Sequence, residues 1–149
     1  AVRALNWNIL AIIAGSIGLG TIVVNSGLGG YISDAILRMS GRSTALVVLV
    51  IVLGTTVLTN VVTNAAAAAI LTPVVLTIAA STGLNPVLLL ILVGTCISFT
   101  FLNPFSHQSN LMVMRPGGYS SATFMRFGIP LTAVSMLTAF GVGWALLAV

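Results

Sequence analysis

Two short stretches of this chain carry side chains suited to holding small ions. The first is Thr59, Asn60, Thr63 and Asn64, set into the otherwise apolar run TNVVTNAAAAAILTP at 59–73. The second is NPFSHQSN at 103–110, which offers Asn103, Ser106, His107, Gln108, Ser109 and Asn110 behind Pro104. An asparagine presents both a carbonyl oxygen and an amide donor, and a serine or threonine hydroxyl both donates and accepts. Neither stretch contains Asp or Glu. A cation held here would rest on neutral oxygens, and a co-bound anion would help to balance its charge. Other chemistries lack their parts. One histidine, one cysteine (Cys96) and the remote Asp34 do not make a metal centre. A Ser/His/Asp set is too dispersed for a hydrolase triad, and no Gly-rich nucleotide loop, CxxC or HExxH pattern is present.

The surroundings of these residues are extreme. Positions 43 to 114 hold no Asp, Glu, Lys or Arg, and 58% of the 149 residues are hydrophobic. Ordinary soluble domains carry roughly 25% charged residues; this chain carries 4%. A fold of this size leaves too much surface in water for such a composition, which excludes a soluble enzyme, a secreted domain and a disordered chain. The formal charge of +4 comes from Arg3, Arg38, Arg42, Arg115 and Arg126, each flanking an apolar segment and none clustered for nucleic acid. Cys96 has no partner cysteine and reads as a small buried hydrophobe. The composition predicts an all-α polytopic membrane protein, and no signal peptide is visible.

Residues 5–25 are apolar, contain several Gly and Ala, and suit a spanning helix, with Trp7 as an interfacial anchor. Residues 27–41 are bounded by glycines and amphipathic, with Asp34 and Arg38 four apart on one face, as in an interfacial helix. A single helix over 43–80 would be about 57 Å long, well beyond a bilayer. The alternative is a re-entrant hairpin with its tip near 63–65, and the polar residues at that point favour it. Ser81 to Pro86 reads as a turn. Residues 87–115 read as a helix broken at Pro104, unwound over 103–110. A short surface piece follows, and 128–149 forms the last spanning helix. Arg3, Arg115 and Arg126 then share one face and Arg38 and Arg42 the other, which leans the first face toward the cytoplasm. Both interruptions expose helix ends, N–H groups at a positive end where an anion can sit and carbonyls at a negative end where Na⁺ can sit.

TNVVTNAAAAAILTP at 59–73 resembles the Ser-Asn-Thr hairpin motif of the divalent anion/sodium symporters, the sodium-coupled sulfate and dicarboxylate carriers. NPFSHQSNLMVMRPGGY at 103–119 is similar to that family's Pro-rich unwound segment and following half-helix, in a style nearer the sulfate-permease branch. Residues 5–28 look like the helix that opens the second half of such carriers. The resemblance implies one inverted-repeat half with a re-entrant hairpin and a discontinuous helix. It also implies sodium-coupled, elevator-type transport of a small divalent anion, sulfate ahead of dicarboxylate. Carried over by position, Thr63, Asn64, Ala65, Ser109 and Asn110 contact the anion. Thr63, Asn64, Asn103, Pro104 and Ser106 hold Na⁺. Ala65 lacks the hydroxyl that the motif places there, and Ser106 and His107 stand where Thr or Pro is commoner. The implied partners are the anion, Na⁺ as coupling ion, the lipid bilayer, a separate or missing N-terminal repeat and a second copy in a homodimer. No other cofactor and no nucleic acid are implied, and the location is the plasma (inner) membrane, multi-pass. The alternatives are a proton-driven or pump-associated anion permease of the same superfamily, and a non-transporting membrane subunit whose polar residues hold helices together.

Overall fold

The computed structural model describes residues 7–41, 43–103, 110, 112 and 116–148. Six α-helices make up the described fold: α1 (Trp7–Asn25), α2 (Leu28–Ser40), α3 (Thr44–Val61), α4 (Asn64–Thr82), α5 (Pro86–Ile97) and α6 (Ser121–Leu147). Local chemistry sets most of their ends. Gly41 and Gly83 close α2 and α4 in the left-handed region, at φ 55° and 75°, where a Cβ is costly. Asn85 opens α5 by accepting from the amides of Val87 and Leu88, and Pro86 takes the first helical position, where its missing N–H costs nothing.

The polar stretch at 59–64 falls at a break. Backbone at Val62 and Thr63 is extended, at φ −114° and −66°, between the end of α3 and the start of α4. Two features end the helix here. Val61, Val62 and Thr63 are β-branched and poor helix formers. The Thr63 hydroxyl then accepts from the Ala66 amide at 3.3 Å and caps α4. The alanine run from Ala65 to Ala69 carries α4 onward with the highest helix propensity of any residue.

α4 lies at the centre, against α1, α2 and α5, while α3 packs on α5 and α6. Val47, Val48, Val52, Val74, Ile78 and Leu89 are buried where these helices meet. Pro73 lies inside α4, which continues through it, and leaves the Ala69 carbonyl without its helical donor. Gly20 of α1 approaches that carbonyl so closely that an added Cβ would stand 3.3 Å from the oxygen. One residue on, the buried Ser33 hydroxyl of α2 lies 3.0 Å from the Val74 carbonyl and 2.7 Å from that of Gly29.

Two boundaries differ from those read off the sequence. The apolar pattern extends α5 to residue 102, but it ends at Ile97, for a tertiary reason given below. The last helix does not begin at 128 after a surface piece. It starts at Ser121, capped by Ser120, whose hydroxyl accepts from the Thr123 amide at 3.2 Å, and it runs through Pro130 unbroken.

Among the described residues, α3, α4 and α6 are long and apolar enough to cross a membrane, with mean hydropathies of 2.2, 1.8 and 1.6. Their outward faces agree. Val61 is 78% exposed, Phe127 72% and Leu137 70% within the chain. Side chains of that size turned outward fit lipid or further protein, not water.

Candidate functional site

Three helix ends converge on one hydroxyl. Thr59, in the last turn of α3, is fully buried, and its Oγ1 donates to the Ile97 carbonyl at the end of α5 over 2.7 Å. The same oxygen lies 3.0 Å from Oδ1 of Asn64, the first residue of α4. α3 and α5 therefore bring their C-terminal, carbonyl-rich ends to the place where α4 presents its N-terminal amides. Helix dipoles make the first two ends partly negative and the third partly positive. This arrangement offers a cation and an anion separate, adjacent hosts without a formally charged side chain.

A hydroxyl has one proton, so it does not serve Ile97 and Asn64 at full strength together. The shorter contact to the buried Ile97 carbonyl has first claim. Half a turn of the Asn64 amide would place Nδ2–H against Thr59 and aim its carbonyl oxygen away from the contact. The Asn64 amide can thus meet Thr59 through either its oxygen or its nitrogen, with the other group turned away.

The backbone after α5 is irregular from Ser98 to Asn103, and its carbonyls are held from outside. Asn60 Nδ2 donates to the Phe99 carbonyl at 3.0 Å and to Thr56 of its own helix at 2.8 Å. Asn110 Nδ2 donates to the Thr100 carbonyl at 3.0 Å. Asn103 Nδ2 reaches the Asn60 carbonyl at 3.5 Å, the outer limit of a hydrogen bond. The Phe99 and Phe101 rings stack with centroids 6.2 Å apart. These bonds explain why α5 ends early. Carbonyls at Ile97, Phe99 and Thr100 gain side-chain donors from α3 and from Asn110, and a continued helix would turn them away from those donors.

The structure brings Asn64 and Asn103 into one neighbourhood with Thr59 and Asn60, and it joins Asn110 to the same irregular segment through Thr100. Thr63 is exposed and serves as the cap of α4. Ala65 is half-buried and lines an open groove of about 630 Å³ between α1 and α4, beside Gly20, Thr21 and Asn25. Pro104, Ser106 and Ser109 lie outside the described residues, as does His107.

Thr59 and Asn60, polar residues of the first stretch to which the family resemblance gave no role, hold the Ile97 and Phe99 carbonyls. The carbonyls of Ile97, Phe99 and Thr100 have no signal at all, since every residue carries the same group.

Comparison with known proteins fits this picture. Residues 1–149, the whole chain, match the CitMHS family, described as citrate transporter. An uncharacterized transporter of Synechocystis sp. is 35% identical over 138 residues, which cover 90% of this chain and 22% of the relative. "Probable sodium/sulfate cotransporter 3" of Chlamydomonas reinhardtii is 30% identical over 141 residues, covering 92% of this chain and 16% of the relative. Sodium/sulfate cotransporter 1 of the same organism is 28% identical over 139 residues, with the same coverage of 92% and 16%. The chain spans about a fifth of the length of the curated relatives it matches. Those names agree with the resemblance to divalent anion/sodium symporters. With its all-helical architecture and apolar outer faces, the chain is an integral membrane protein that belongs to the citrate transporter family.

Proposed function

We propose that this chain is one repeat of a sodium-coupled secondary transporter for a small divalent anion, sulfate ahead of dicarboxylate. The observation that carries the reading is the meeting of the α3 and α5 carbonyl ends with the α4 amide end at Thr59, Asn64 and Ile97. Na⁺ would sit among the carbonyls of the α5 end and the Asn64 and Asn103 side chains, completed by Thr63 and by the segment holding Pro104 and Ser106. The anion would lie toward Thr63, Asn64, Ala65, Ser109 and Asn110, facing the start of α4. With no carboxylate between positions 43 and 114, each ion relieves the other's unbalanced charge. That reciprocity is a physical basis for symport, since binding of either raises the affinity for the other.

In this reading α3, α4 and α5 travel together in an elevator-type step, with α3 and α4 as the arms of a re-entrant hairpin. A second repeat completes the site, and a homodimer in the plasma membrane supplies the fixed scaffold. Relatives named sodium/sulfate cotransporters support both sodium and sulfate. The description of the matched family favours a second reading, in which the anion is an organic carboxylate such as citrate.

Uptake of labelled sulfate into vesicles under imposed Na⁺ and H⁺ gradients tests the proposal. Sulfate flux that rises with inward Na⁺ and is competed poorly by citrate is expected. A flux set by pH alone and indifferent to Na⁺ would overturn the coupling. Strong competition by citrate with no sulfate flux would move the substrate to the carboxylates.

A further inference from the structure

On α6, the buried positions Gly128, Thr132, Ala139, Gly143 and Leu147 form one stripe turned toward α3 and α5. At its lower end an added Cβ on Gly143 would meet side-chain atoms only, Leu92 Cδ1 at 2.9 Å and Val48 Cγ1 at 3.3 Å, and a leucine methyl can turn aside. Gly128 is different. A Cβ there would run into the Phe101 carbonyl oxygen, and would stand 2.7 Å from the Phe101 carbonyl carbon and 3.3 Å from the Leu102 nitrogen. Among the described glycines, no other has backbone this near. A peptide group has no rotamer by which to give way, so a side chain at 128 must push either α6 or the 98–103 segment aside.

That segment is the irregular backbone whose Phe99 and Thr100 carbonyls are held by Asn60 and Asn110. It has no helical hydrogen-bond ladder of its own to fix it. From these contacts we infer that Gly128 is a positioning residue: α6 lies flush against the Phe101–Leu102 peptide and sets the depth at which the unwound segment offers its groups to the tip of α4. The inference rests on the transport reading above for what the groups bind, and on geometry alone for what holds them. It has a dynamic corollary. α6 and the 98–103 segment move as one body, because their backbones touch at Gly128, although a cavity of about 350 Å³ opens beside that contact between Phe101 and Thr123, Phe127 and Leu131.

The test compares Gly128→Ala with Gly143→Ala in the intact carrier, reconstituted in vesicles. Folded protein is counted, and the half-saturation for sulfate and for Na⁺ is read apart from the maximal rate. A group displaced far enough to lose its hydrogen bond to an ion costs roughly 10- to 100-fold in affinity, and a rise of that size in half-saturation is expected for Gly128→Ala. Gly143→Ala is expected to change protein amount or maximal rate and leave half-saturation within about twofold, because only side chains must yield there. Equal profiles for the two variants, or an unshifted half-saturation in Gly128→Ala, would overturn the inference.

Should Gly128→Ala fail to accumulate, the corollary is read without it. Spin labels at Ser98→Cys and Phe127→Cys, with other cysteines removed, should give one narrow distance that is the same with and without Na⁺ and sulfate. A distance that broadens or moves on ion addition defeats the inference. Failure of the transport reading is distinguishable. A wild-type flux indifferent to Na⁺ rejects the coupling, while the Gly128 effect is still read on the anion.

Discussion

Thr59 and Ile97, 38 positions apart in the chain, are joined by a 2.7 Å hydrogen bond from a buried hydroxyl to a carbonyl at a helix end. The bond fixes the C-terminal ends of α3 and α5 to each other beside the start of α4. In lipid, where apolar helices gain little from leaving water, such bonds and close packing are what select one arrangement of helices.

Thr59→Val keeps the shape and removes the hydroxyl, leaving the Ile97 carbonyl without its donor. Interhelical hydrogen bonds in membranes are worth about 0.6–2 kcal/mol, so a loss of that order is expected in a denaturation or melting assay in detergent. Half-saturation for the coupling ion should rise as the α5 end loosens. Thr59→Ser should restore both, and a Ser variant as impaired as Val would count against the hydrogen bond.

Asn64→Ala separates a binding role from a merely structural one. The substituted carrier should insert and fold in normal amount yet lose most ion-dependent uptake, since alanine retains the helix and deletes both amide groups. Loss of folded protein, with normal uptake per remaining molecule, would make Asn64 a tie between helices instead.

Asn64→Asp should act in the opposite sense on the two ions. A carboxylate at the start of α4 attracts a cation and repels a divalent anion, so half-saturation should fall for Na⁺ and rise for sulfate. Parallel shifts of both ions in one direction would contradict adjacent hosts at this point.

Asn110→Ala removes the donor to the Thr100 carbonyl. The expected result is a raised half-saturation with the maximal rate less affected, read from initial uptake rates at graded sulfate and Na⁺. An unchanged profile would show that the segment is held sufficiently by Asn60.

Ser33→Ala provides a contrast. Its hydroxyl is buried and faces the Val74 and Gly29 carbonyls on the side of α4 remote from Thr59. The expected cost is about 1 kcal/mol in stability, with ion half-saturations as in the unaltered protein. A selective change in ion affinity would mean that the packing of α2 on α4 reaches the start of α4.

Much of this protein was legible from residue types alone. A run of 72 positions without charge, 43 to 114, determines the bilayer as solvent, because no soluble surface is built from it. Val62–Thr63 ahead of five alanines determines a break and a restart, since β-branched residues oppose the helix and a threonine caps the next one. Gly41, Gly83 and Asn85-Pro86 mark their helix ends by the same kind of local chemistry.

The end of α5 and the unity of α6 were not legible in that way. A continuous apolar stretch permits helix to residue 102, and only the donors that Thr59, Asn60 and Asn110 bring from elsewhere make the carbonyls from Ile97 to Thr100 better satisfied outside a helix. Gly128 likewise reads as one small residue among fifteen glycines until the Phe101 peptide is placed against it. The sequence determined the solvent, the breaks and the polar side chains, because each of these depends on residue type. Tertiary structure alone decided which carbonyls and which glycine matter. Backbone groups are chemically the same at every position and differ only in what is brought beside them.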